Sequence, residues 1–139
     1  MNSATQSVQF QGPAGVLEGL CDDPSDGAFK GIAVISHPHP LFGGTQQNKV
    51  VQTLAKAFVQ SGWRAIRFNF RGVGASAGVY DEGRGELADL LAVIEQTHGA
   101  AASGGGLALA GFSFGAFVTS HAVAQLAAAG NLQKVVLVG

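Results

Sequence analysis

Short apolar runs alternate along the chain with longer stretches whose apolar residues recur every three or four positions, and Gly, Pro and Asp punctuate them at fairly even intervals. This pattern predicts an α/β fold, a mostly parallel sheet with flanking helices. Two weak strands, Ser7 to Phe10 and Val16 to Cys21, flank Gln11-Gly12-Pro13-Ala14-Gly15 and predict an N-terminal antiparallel hairpin at a sheet edge. Asp22 to Gly27 reads as a loop. Gly31 to Ser36 is apolar without alternation, as in a strand covered on both faces. From Thr45 to Ser61, Val50, Val51, Leu54, Ala57 and Phe58 recur at helical spacing, and Gly62 follows where a left-handed cap would sit. Trp63 to Phe70 is the next strand, leading into the Gly-rich loop 71–78. Leu87, Leu90, Leu91 and Ile94 then mark one face of a helix from about Glu82 to Thr97 whose other face is polar. After Gly104-Gly105-Gly106 come a third central strand, Leu107 to Ala110, an Ala-rich helix ending at Gly130, and a fourth buried-type strand from Lys134 to Gly139.

A length of 139 residues suits one domain, 1–139, and is too short for two. Only 12% of residues are charged while 47% are hydrophobic, which excludes a disordered chain and a coiled coil. The net charge of −1 offers no basic surface for nucleic acid or anionic lipid, so neither partner is expected. The lone Cys21 cannot form an intrachain disulfide or a metal cluster by itself. With no apolar run long enough for a signal peptide or a membrane span, a cytoplasmic location is the expectation.

The candidate chemistry lies in Gly111-Phe112-Ser113-Phe114-Gly115, a G-x-S-x-G sequence between an apolar strand and a helix. A sharp turn from strand to helix brings the positions two before and two after the serine against neighbouring backbone, so both favour Gly. Ser113 is thereby raised above the sheet as a nucleophile, and the Phe114 N–H lies at the positive end of the helix, where an oxyanion could be held.

Two further segments accompany it: His37-Pro38-His39-Pro40-Leu41-Phe42-Gly43-Gly44 after the first central strand and Phe68-Asn69-Phe70-Arg71-Gly72-Val73-Gly74-Ala75-Ser76 after the second. In their order and spacing, over roughly residues 5 to 139, these segments resemble the α/β-hydrolase superfamily, specifically the small bacterial hydrolases akin to dienelactone hydrolase. The resemblance implies that the strand ending at Ser36 lies beside the one ending at Phe112, which sets the 37–44 loop over Ser113. It also implies a serine hydrolase acting on a carboxylic ester or related acyl bond, with no cofactor and no metal. The family's His-Gly pair is here His37-Pro38, making His39 the matching backbone oxyanion donor beside Phe114. Because Pro38 and Pro40 have no N–H, Leu41 is the other nearby choice. The imidazoles of His37 and His39 read as structural, and Arg71 as a tie that holds its loop.

A serine needs a base and an orienting acid. In the superfamily these follow the serine in the chain, yet no Asp or Glu occurs after Glu95. His121 is eight residues along the same helix, about 12 Å further on its axis and out of reach. His98 falls at the opposite end of the sheet. The resemblance therefore implies a C-terminally truncated hydrolase, with later strands missing, that is inactive or nearly so, unless His39 acts as a substitute base. The open apolar strand at the end of the chain would be a site of self-association. Two rivals exist: a non-catalytic interaction module built on the same core, and a dinucleotide site at Gly72-Val-Gly74-Ala-Ser-Ala77, which fits G-x-G-x-x-A loosely but does not open directly into a helix.

Overall fold

The computed structural model describes residues 5–99, 105–129 and 131–139. Six strands form one sheet in the order β1-β2-β4-β3-β5-β6. β1 (Gln6–Gly12) and β2 (Gly15–Asp22) are the antiparallel hairpin, closed by Pro13-Ala14 alone, a tighter turn than the sequence pattern suggested. β2 runs antiparallel to β4 (Arg64–Phe68), whereas β3 (Gly31–Ser36), β4, β5 (Gly106–Phe112) and β6 (Leu132–Val138) are mutually parallel. The expected neighbours β3 and β5 pair along their full length, with Ser36 opposite Gly111.

Helix α1 (Lys49–Gln60) starts at Asn48, whose side chain accepts the N–H groups of Val50 and Val51. It covers one face of the sheet, packing Val51, Ala55 and Phe58 against Ala33, Ile35, Ala65, Ala108 and Ala110. The alanines at these alternate strand positions let the helix approach closely. Ala55, not the exposed Ala57, completes the buried stripe. On the opposite face, α2 (Arg84–Ile94) and α3 (Phe114–Leu126) pack Leu90, Val93, Ile94, Val118 and Ala122 against Ile32, Val34, Ile66, Phe68, Leu107 and Leu109.

Two expectations are corrected. α2 begins at Arg84, because Glu82 (φ 57) and Gly83 (φ 97) are left-handed, and after Ile94 it widens into a π turn, Glu95–Gly99. Its other face is polar as expected, but on it Glu86 and Asp89 are fully buried and take internal hydrogen bonds. β6 is not a buried strand: at the sheet edge, Val135, Val136 and Leu137 are exposed by 40%, 36% and 49%. The predicted helix end at Gly130 and the Gly104 of the preceding turn lie outside the described residues.

Candidate active site

The loops after β3, β4 and β5 meet at the carboxyl ends of these parallel strands, where open α/β sheets bind ligands. Ser113 joins β5 to α3 with φ 57 and ψ −115, one of two non-glycine residues with positive φ among those described. It is exposed, and its hydroxyl makes no capping bond to the helix it precedes. The flanking glycines explain the turn. A Cβ on Gly111 would stand 2.4 Å from the Gly115 carbonyl oxygen, and one on Gly115 would stand 2.2 Å from that of Ser36 and 2.6 Å from that of His37. All three contacts are with backbone, which cannot swing aside, so the first turn of α3 rests directly on the chain leaving β3. This is the steric requirement inferred for G-x-S-x-G.

Phe114 is the first residue of α3, so its N–H has no acceptor within the helix. Among the described residues neither this N–H nor that of His39 is engaged by a backbone carbonyl in a turn or loop. The N–H of Leu41, the other candidate donor, is taken by Nδ1 of His39 at 3.1 Å. Of the two choices left open by the prolines, His39 is the one whose amide has no acceptor among the described residues.

The imidazoles are structural. His37 is buried between its own loop and β4: Nε2 accepts the Phe70 N–H at 3.0 Å, which places the proton on Nδ1 to donate to the Pro38 carbonyl at 2.7 Å. Burial lowers its pKa to about 4, against a smaller opposing contribution from the Pro38 bond, so the ring is neutral at physiological pH. His39 accepts from Leu41 at Nδ1, leaving Nε2–H to donate to the Tyr80 hydroxyl at 3.1 Å. Both ring nitrogens of His39 are thus engaged in hydrogen bonds. His121 is exposed on α3 with its ring against Phe117, and His98 bonds the Gly105 carbonyl at the start of β5, the far end of the sheet from Ser113.

Arg71 does hold its loop, donating from Nη2 to Asp89 at 2.8 Å and from Nε at 3.1 Å, while the Arg71 N–H donates to the same carboxylate. The dinucleotide-like stretch is closed by an internal anion. Glu18 on β2 accepts the N–H of Ala75 and the side-chain N–H of Asn69, and α2 opens only at Arg84. The Asn69 oxygen in turn accepts the N–H of Gln46, so one amide side chain ties β2 to the loops after β3 and β4. Sequence reasoning missed Glu18, Tyr80 and Asp89, because a loop or strand residue whose partner is remote in the chain leaves no periodic trace.

The family comparison agrees with this architecture. A sequence model of the family described as X-Pro dipeptidyl-peptidase (S15 family) matches residues 26–133, more than half of the chain. An uncharacterised protein of Rickettsia prowazekii is 38% identical over 116 residues, which are 84% of this chain and 48% of that protein. Among solved structures, an α/β serine hydrolase without a lid from Xanthomonas campestris is 37% identical, with a TM-score of 0.88, over 99% of this chain and 62% of the other. An α/β serine hydrolase homologue from Coxiella burnetii is 45% identical, with a TM-score of 0.81, over 88% of this chain and 58% of the other. The chain thus spans about half the length of its curated relative and roughly three-fifths of each structural one. The family match over residues 26–133, together with α/β serine hydrolases 37% and 45% identical that superpose at TM-scores of 0.88 and 0.81, makes this chain a member of the α/β-hydrolase superfamily, in the family described by the S15 peptidase model.

Proposed function

We propose that the chain carries the nucleophile and the oxyanion site of a serine hydrolase acting on a carboxylic ester or related acyl bond. The observation that supports this best is the backbone of Ser113. A positive φ on a residue with a side chain costs on the order of 1 kcal/mol or more, and here it displays an exposed hydroxyl above a helix N-terminus. In the proposed reaction the Ser113 oxygen attacks the carbonyl carbon, the carbonyl oxygen gains the negative charge, and the N–H groups of Phe114 and His39 hold it. One such donor is typically worth about a hundredfold to a thousandfold in rate.

Activation of the serine is the other half of the reaction. The ring nitrogens of His37 and His39 are already hydrogen-bonded, His98 bonds the far end of β5, His121 stands against Phe117, and no carboxylate follows Ser113 in the 139 residues. On this reading the 139 residues alone hydrolyse esters little above background. The test is labelling with a small alkyl fluorophosphonate. Slow, stoichiometric modification that disappears in Ser113→Ala is the expected result. Labelling that persists in that variant overturns the assignment, and a rate matching that of a complete serine hydrolase overturns the inactivity.

One observation favours a second reading, a non-catalytic interaction module: β6 presents exposed apolar side chains at a sheet edge. Complete resistance of Ser113 to the same reagent is its signature.

A further inference from the structure

Beside Ser113 the surface is a continuous belt of rings that the reaction as described does not use. His39 stands 4.8 Å, centroid to centroid, from Phe114 and 4.8 Å from Phe42, and Tyr80 closes the group at 5.1 Å from His39 and 5.9 Å from Phe114. Phe117, one turn along α3, extends it at 6.4 Å from Phe114. The inner rings are partly buried by each other, but the outer ones are bare: Phe42 is 85% exposed and Phe117 53%, flanked by Leu41 at 65% and Val79 at 76%.

Large apolar side chains clustered on a surface mark a place where something apolar binds. Three features of this cluster identify what. First, the belt begins at the two residues whose N–H groups are the candidate oxyanion donors, so a group attached to a carbonyl held there passes directly onto it. Second, the contacts between rings are tilted, with planes 37° to 57° apart, which leaves faces and edges open to a further ring in the offset or edge-to-face geometries that aromatic groups prefer. Third, none of the belt's own residues, Leu41, Phe42, Val79, Tyr80, Phe114 and Phe117, carries a charge, so the belt offers no partner for a charged group.

We propose that this belt is the specificity surface of the site, and that its substrates are esters bearing an uncharged aryl group next to the scissile carbonyl. The inference rests on Ser113 being the nucleophile and names the substrate class of that nucleophile. Tyr80 is a positioning residue in this scheme: its hydroxyl receives the His39 Nε2–H and holds the ring that joins Phe42 to Phe114.

The experiment uses the 139-residue chain and two ethyl fluorophosphonates, one carrying a 2-phenylethyl group and the other n-butyl. In each, a bond forms between the Ser113 oxygen and phosphorus, the phosphorus–fluorine bond breaks, fluoride leaves and the hydroxyl proton passes to water. The phenylethyl reagent is expected to label about ten-fold faster, and the ratio to fall toward one in Phe42→Ala and in Phe117→Ala. A ratio near one in the unaltered chain, or a ratio indifferent to both substitutions, overturns the proposal. A second measurement separates this outcome from failure of the nucleophile. In Ser113→Ala, methyl 2-naphthoate is expected to shift the NMR resonances of Tyr80, the only tyrosine, and methyl hexanoate to leave them in place. Naphthoate binding without labelling by either reagent sinks the nucleophile and supports the belt, whereas labelling without naphthoate binding sinks the belt alone. Binding of phosphatidylcholine vesicles that is lost in Phe42→Ala, with no aryl preference, assigns the surface to lipid and overturns the substrate class.

Discussion

The backbone N–H of Ser113 donates to the carbonyl of Val138, 2.8 Å away at the end of β6. The left-handed turn at Ser113 points its own amide sideways to the neighbouring strand and leaves the next amide, that of Phe114, at the open start of the helix. Of two adjacent N–H groups, one is thus tied to the sheet and the other stands at the start of the helix without a backbone acceptor among the described residues. Hydrogen exchange followed by NMR is expected to find the Ser113 amide protected together with β5 and the Phe114 amide exchanging far faster. Equal protection of the two would mean that the Phe114 N–H is already occupied.

His37 gives the fold a pH dependence with a definite sign. Its pKa is lowered from 6.5 to about 4 because the buried ring is held neutral, so between these values the unfolded chain binds the proton that the folded chain refuses. Stability from this group is complete above about pH 6.5 and is lost as pH falls toward 4, by an amount on the order of 3 kcal/mol. Chemical denaturation of the parent and of His37→Gln across this interval is the check. The parent is expected to lose stability more steeply with acid than the variant; parallel curves would show that the ring is protonated without cost.

Individual residues show how much of the fold and site could be read in advance. The G-x-S-x-G elbow was legible because its glycines answer to local sterics, which Gly111 and Gly115 now display as contacts with backbone oxygens. The strands and helices were legible from period, since Ile32, Val34, Ala33 and Ile35 only had to be apolar to serve both faces. Period cannot reveal a partner. Arg67 lies within β4 with no exposed surface and pairs with Asp22, 45 residues earlier, and Asp89 on α2 is buried by the guanidinium it binds. Each appears from sequence as an ordinary charged residue. Tyr80 was invisible for a related reason: a loop has no repeat, and only the folded positions of two loops bring it to His39.

The Arg71–Asp89 pair is the anchor of the loop that carries Tyr80. Asp89 is fully buried and Arg71 nearly so, and the hydrogen bonds to Asp89 hold the arginine's pKa above its ordinary value. Removing one partner strands the other, a change that costs about 3–5 kcal/mol for buried pairs. Asp89→Ala is therefore expected to lower stability by that amount and to raise hydrogen exchange in residues 72–80. Arg71→Lys is expected to rescue little, because a single ammonium cannot reproduce the paired Nε and Nη2 contacts. Full stability in Arg71→Lys would reduce the interaction to simple charge.

We propose that the 139-residue chain self-associates through β6. Its hydrogen bonds to β5 satisfy one side of the strand, while the other side is the sheet edge, with Val135, Val136 and Leu137 exposed on both faces. An apolar edge of this kind, with Lys134 the only charge along β6, is a template for pairing with another strand. A second copy of the chain offers the same edge, so two β6 strands can join antiparallel about a twofold axis and extend the sheet from one chain into the next. Light scattering over a concentration series is expected to report a mass above that of the monomer, and Val135→Lys with Leu137→Lys to return it to the monomer by placing like charges across the joint. Val135 and Leu137 belong to neither core cluster, so the fold should survive the two lysines. A chain that is monomeric throughout the series, with unchanged behaviour in the double variant, would show that the edge does not pair.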